Sequence, residues 1–160
     1  MTHPASRRPG LALTGFVASA FAAGGVGAWA TSSSVRTWYP LLHKPVWNPP
    51  PWLFGPAWTS LYLLMGLAAW KAWRSGHPAA RAIVTLYFVQ LAVNALWSVL
   101  FFGLRQPTWA LADVAVLWAL LAWIQVSLAR IDRVAAWLWL PYVLWVTFAS
   151  ALNFAIVRLN

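Results

Sequence analysis

The sequence predicts an all-α fold, an integral membrane bundle of five transmembrane helices whose long Pro/Trp-rich first loop acts as a lid. Three observations predict it. Hydrophobic residues make up 62 % of the chain and charged residues only 8 %, against roughly a quarter charged in an ordinary soluble domain. Five separate runs approach or exceed the roughly 20 apolar residues that cross a bilayer. The only long connection between them is dense in proline and aromatic residues. Disorder is excluded on the same composition, because disordered segments are poor in aromatics and rich in charge. A single transmembrane domain covers residues 1–160.

The runs fall at about residues 11–30, 54–73, 83–104, 109–129 and 134–157. The first follows Arg7 and Arg8 and resembles a secretory or twin-Arg signal, with Ala18-Ser19-Ala20 as small residues. Its length suits a retained span instead. Within the runs the only charges are Lys71, at the end of the second, and Asp113, one turn into the fourth. The links at Arg105–Thr108 and Arg130–Arg133 are short, so the last three spans form antiparallel hairpins. For Asp113, near the lid-side end of its span, pairing with Arg105 is the favoured arrangement over snorkelling or facing the bundle.

Eleven basic residues stand against Asp113 and Asp132, giving a net charge of +9. They cluster at span ends, where they anchor to headgroups. They form no stripe that would track phosphates, so no nucleic-acid partner is expected. With five spans, one side holds Arg7, Arg8, Lys71, Arg74, Arg81, Arg130 and Arg133, and the other holds Arg36, Lys44, Arg105 and Arg158. That bias predicts a cytoplasmic N-terminus. There is no cysteine, hence no disulfide framework or thiolate chemistry.

The loop at 31–53 contains Trp38-Tyr39-Pro40-Leu41-Leu42-His43-Lys44-Pro45-Val46-Trp47-Asn48-Pro49-Pro50-Pro51-Trp52. Its prolines fix φ and remove backbone donors, and Pro runs prefer the extended polyproline form. Such a stiff, apolar segment folds back over helix ends as a lid, while its Trp and Tyr also suit a headgroup belt.

Helical spacing places further aromatic and polar residues together. In the third span Gln90, Asn94, Trp97, Ser98 and Phe101 share one face. Tyr142, Trp145, Ala149 and Asn153 do so in the fifth, and Trp58, Tyr62 and Met65 in the second. These stripes read either as interhelical hydrogen-bonding glue or as pocket walls. Gln90 and Ser98 suit the first; Asn94, Trp58, Tyr62 and Trp145 suit the second. Ala20, Gly24 and Ala28 suit close helix packing, within one chain or between chains.

The lid motif, from Trp38 to Pro50, resembles the first-loop signature of the TspO/MBR family of tryptophan-rich sensory and translocator proteins. Matching motifs follow at Ala57-Trp58-Thr59-Ser60-Leu61-Tyr62-Leu63-Leu64-Met65-Gly66 and Gln90-Leu91-Ala92-Val93-Asn94-Ala95-Leu96-Trp97-Ser98. Others lie at Pro141-Tyr142-Val143-Leu144-Trp145 and Leu152-Asn153-Phe154. The resemblance runs from about residue 11 to 160 and points to a bacterial member, in an inner or outer membrane. It implies a homodimer of five-helix bundles with a ligand pocket closed by the first loop. It implies porphyrins (protoporphyrin IX or haem) as ligands, with sterols and benzodiazepine-type drugs as further candidates.

By this resemblance the ligand-contacting positions are Tyr39, Pro49, Trp58, Tyr62, Asn94, Trp145 and Ala149, with Trp97 behind them. Arg36 and Lys44 are candidate partners for porphyrin propionates. Leu152, Phe154 and Arg158 match a proposed sterol motif incompletely, since Phe154 stands where the motif has Tyr.

No obligatory cofactor, metal site or catalytic set is expected. His3, His43 and His77 all lie outside the spans, which disfavours a haem electron carrier. No nucleophile–base–acid set appears. The leading expectation is a porphyrin receptor or carrier that regulates or transports tetrapyrroles. Light-dependent porphyrin breakdown and membrane scaffolding are the alternatives. The fourteen tryptophans divide accordingly: Trp29, Trp70, Trp73, Trp109, Trp137 and Trp139 suit an interfacial belt, and Trp38, Trp47 and Trp52 stiffen the lid. Trp118 and Trp123 have no assigned role beyond packing.

Overall fold

The computed structural model describes residues 9–160. It contains α1 (Pro9–Thr31), α2 (Ser34–Thr37), a 3₁₀ turn (Tyr39–Leu41), α3 (Pro51–Arg74), α4 (Ala80–Ser98), α5 (Pro107–Ile131) and α6 (Arg133–Leu159). A π turn, Val99–Gly103, extends α4. Five of the helices are long and apolar enough to cross a membrane, as the runs predict. Arg7, Arg8 and His3 lie outside the described residues.

Helix boundaries follow from local chemistry. Proline occupies the first helical position of both α3 and α5, where its missing N–H leaves nothing unpaired. This starts α3 at Pro51, three residues ahead of the apolar run. Asp132 caps α6, accepting a hydrogen bond from the Ala135 amide at 3.0 Å. The turn after α3 passes through Gly76 at φ +66°, a left-handed conformation that favours glycine.

Neighbour contacts run α1–α3–α6–α5–α4 and back to α1, a closed ring in which α3 also touches α4. The buried stripe of α5 is Ala110, Val114, Leu117, Leu121, Ile124 and Leu128, alternating steps of four and three as helix packing requires. Small residues set the spacing elsewhere. A Cβ on Gly66 would stand 2.9 Å from the Val17 Cα, and one on Gly27 3.0 Å from the Ser98 hydroxyl. A Cβ on Gly24 would run into the Tyr62 ring. Ala20 is buried, so Ala20 and Gly24 serve packing within the chain, while Ala28 is exposed.

Two expectations are corrected here. Asp113 does not hydrogen-bond Arg105: Arg105 Nε donates to Ser34 Oγ at 3.4 Å, and Asp113 Oδ2 is buried without a hydrogen-bond partner. The ion pair among the described residues is Lys71–Asp132, at 3.2 Å. It joins the end of α3 to the start of α6. Trp139, assigned to the belt, is 1 % exposed and donates its indole N–H to the Leu121 carbonyl at 3.2 Å. Its place one turn after Ala135 and one before Tyr142 turns it inward, although it lies near the span end. Trp118 acquires a role, donating to Thr147 Oγ1 at 2.8 Å and tying α5 to α6.

Candidate functional site

The lid is not extended throughout. It opens with α2 and the 3₁₀ turn and becomes extended only around its later prolines. Its two halves are sewn together by Tyr39, whose hydroxyl donates to Asn48 Oδ1 at 2.9 Å. Burial pushes the Tyr39 phenol above its ordinary pKa, which keeps that proton in place at any physiological pH. Lys44 Nζ donates to the Tyr39 and Leu42 carbonyls, each at 2.8 Å, and lies over the Tyr39 ring. Its ammonium is therefore engaged within the lid, whereas Arg36 is exposed. Asn160 fastens the lid to the end of α6, accepting from the His43 amide and donating to its carbonyl, both at 3.0 Å.

The lid rests on rings from the π turn. Phe101 contacts Trp38 at 5.8 Å and Tyr39 at 6.3 Å between centroids, and Phe102 contacts Tyr39 at 5.6 Å. A π turn adds one residue to the helix repeat and so re-aims the side chains after it. Here it brings these two adjacent Phe rings up to the lid. Trp97 stacks on Phe101 at 5.1 Å and donates its N–H to Asn153 Oδ1 at 3.1 Å.

Below the lid lies an aromatic box. Trp58 and Tyr62 of α3 stack at 5.3 Å. Trp58 meets Trp145 and Tyr142 of α6 edge-on, at 6.4 and 6.2 Å. Tyr142 is the polar hub. Its hydroxyl accepts from Asn94 Nδ2 at 3.0 Å and donates to Gln90 Oε1 at 2.9 Å, while Tyr62 donates to Asn94 Oδ1 at 3.5 Å. Gln90 acts as the glue its position suggests. Asn94, predicted as a pocket wall, bonds both Tyr142 and Tyr62.

An apolar cavity of about 750 Å³ adjoins the box, in the groove between α3 and α6. The lid roofs it with Trp47, Asn48, Pro49 and Pro50. Ala57, Ser60 and Leu64 line it from α3, and Pro141, Leu144, Trp145 and Phe148 from α6. Small side chains at 57 and 60 open it, and exposed Leu144 marks its lipid side. The volume falls within the range of small-molecule sites.

Of the predicted positions, Pro49 and Trp145 line this cavity, Trp58 meets Trp145, and Tyr62 stacks on Trp58. Asn94 is buried behind them. Tyr39 and Trp97 belong to the floor of the lid. Ala149 is half-buried beside Phe148 on α6. The sterol positions diverge: Leu152 is buried, whereas Phe154 and Arg158 face outward. Sequence reasoning left Tyr142 out of the site, as well as the α3–α6 groove. The spacing Pro141, Leu144, Phe148 beside Ala57, Ser60, Leu64 was the available signal.

These features define an integral membrane protein, a five-helix bundle whose tied-down lid roofs a lipid-side groove. The chain belongs to the TspO/MBR family, whose profile matches residues 16–159. It is 43 % identical over 150 residues to the tryptophan-rich protein TspO of Archaeoglobus fulgidus, covering 94 % of this chain and 97 % of that one. Against the tryptophan-rich sensory protein of Cereibacter sphaeroides identity is 44 %, covering 84 % and 85 %. The human translocator protein is 39 % identical, covering 77 % and 75 %. Membership supports a role as a membrane receptor or transporter.

Proposed function

We propose that the chain is a membrane receptor or carrier for porphyrins, holding protoporphyrin IX or haem beneath the lid to regulate or transport tetrapyrroles. The supporting observation is the apolar groove of about 750 Å³ that Trp145 lines, with the Trp58–Tyr62 stack behind it. A flat macrocycle gains from ring faces beyond its area burial, by about 0.5–1.5 kcal/mol per ring pair. The groove opens towards lipid, where such ligands partition. Lys44 is engaged within the lid, which leaves the exposed lid-side cations Arg36 and Arg158 as candidates for a propionate. Sterols and drug-like ligands share the groove's apolar chemistry and are competitors in the test.

Protoporphyrin IX titrated into nanodisc-held protein, read by tryptophan fluorescence, tests this. The double substitution Trp58→Ala, Trp145→Ala weakens affinity at least tenfold, and Trp123→Ala, on the lipid face, leaves it unchanged. Equal affinity in all three proteins contradicts the site.

A further inference from the structure

A second cavity, of about 600 Å³, lies at the membrane face opposite the lid, where α3 turns into α4. Trp73, His77, Pro78, Arg81, Val84 and Thr85 line it. The turn that shapes it is held by its own hydrogen bonds. The His77 amide donates to Ser75 Oγ at 3.2 Å, and the Ala80 amide to the His77 carbonyl at 2.8 Å. The Ala79 amide donates to His77 Nδ1 at 3.1 Å. Because Nδ1 accepts, the ring proton sits on Nε2, which is left as a donor for the cavity. Arg81 makes no ion pair among the described residues, since Asp132 is paired with Lys71. That pair also places the α5–α6 corner on this face, so Lys71, Arg74, Arg81, Arg130 and Arg133 share it with a single acid.

The cavity is apolar on its other side. The Thr85 hydroxyl is turned back to the Arg81 carbonyl at 3.1 Å, and Val84 adds an aliphatic wall. One turn further into the bilayer stands Phe88, half-exposed and stacked on Phe16 at 6.1 Å. Anchoring at headgroup depth asks only for a cation near the surface. Here the cation shares a cavity with an oriented N–H donor and an apolar wall that leads into lipid.

We propose that this cavity binds one anionic phospholipid, with its phosphate on Arg81 and His77 and an acyl chain along Val84 and Phe88. A guanidinium meets two phosphate oxygens with two parallel N–H bonds, and basic pockets beside membrane helices suit lipid headgroups. The excess positive charge of the face favours an anionic lipid over a zwitterionic one, whose own cation it repels. The apolar wall favours a lipid over free phosphate.

Native mass spectrometry of delipidated protein in neutral detergent tests this, with phosphatidylglycerol and phosphatidylcholine of the same chains as probes. One phosphatidylglycerol should bind in preference to phosphatidylcholine, and inorganic phosphate in large excess should not displace it. Arg81→Gln should weaken binding by about tenfold, the loss of one charged, forked hydrogen-bond pair. Arg130→Gln removes the same charge from the same face outside the cavity and should stay within about twofold, because only screened attraction is lost. His77→Asn keeps an acceptor for the Ala79 amide but removes the Nε2 donor. It should weaken binding several-fold, and it carries the test where Arg81→Gln folds poorly. Equal losses in Arg81→Gln and Arg130→Gln would mean diffuse attraction and overturn the site, as would unchanged binding in both cavity variants. Equal retention of the two lipids, or displacement by inorganic phosphate, overturns the choice of an anionic lipid.

Discussion

Tyr142 shows how one hydroxyl can organise a site. It is fully buried and bonded to Asn94 and Gln90 of α4. Tyr142→Phe leaves both amides short of a partner inside the bundle. Single interhelical bonds in membranes average about 0.6 kcal/mol, but an unsatisfied buried polar group costs about 1–3 kcal/mol. With two groups stranded, the second effect dominates. Unfolding in mixed micelles should register a loss of about 2 kcal/mol or more, whereas Trp123→Phe should register almost none. Gly24 works by absence. Gly24→Ala pushes the Tyr62 ring off Trp58, so ligand affinity falls with little change in helix content by circular dichroism. Residue chemistry of this kind was half legible. The spacing of Asn94, Trp58, Tyr62 and Trp145 pointed inward. The pairing of Tyr142 with α4 depends on helix rotation and depth, which one helix's periodicity leaves open. Trp139 was misread for the same reason, because nearness to a span end says nothing of azimuth.

Helix ends are where charge acts on stability here. Asp132 caps α6 and pairs with Lys71 of α3. Partial burial pushes its carboxyl up, but the Ala135 amide and the Lys71 ammonium outweigh that, and it settles below the ordinary carboxylate range. A carboxyl depressed in the folded state contributes stability above its unfolded pKa and loses it as pH falls through the folded one. Acid unfolding of the wild type should therefore steepen below the usual carboxylate range, and Asp132→Asn should flatten that part of the profile. At neutral pH Asp132→Ala should cost about 1 kcal/mol through the lost cap, with little added by the partly exposed ion pair. The helices themselves were plain in the sequence, since apolar run length alone marks a span. The π turn and the start of α3 at Pro51 were not, because both depend on a few backbone hydrogen bonds at an end.

For the whole molecule, the lid is held against the end of α6. Its tie to Asn160 consists of two hydrogen bonds to the His43 backbone, each worth about 1 kcal/mol. Asn160→Ala should speed porphyrin dissociation several-fold in stopped-flow while the association rate changes little. The architecture was legible because a bilayer admits few alternatives for five apolar helices. The groove was not, because it exists only where the small side chains of α3 meet Pro141 and Leu144 of α6.

The central claim, a porphyrin beneath the lid in the α3–α6 groove, meets its most direct test in fluorine NMR. Protein carrying 5-fluorotryptophan gives one resonance for each of its fourteen tryptophans, assignable by single Trp→Phe substitutions. One equivalent of paramagnetic iron porphyrin should broaden Trp145, Trp58 and Trp47 and leave Trp70, Trp123 and Trp137 sharp. Broadening at Trp123 or Trp137 with Trp145 and Trp58 unchanged would contradict it.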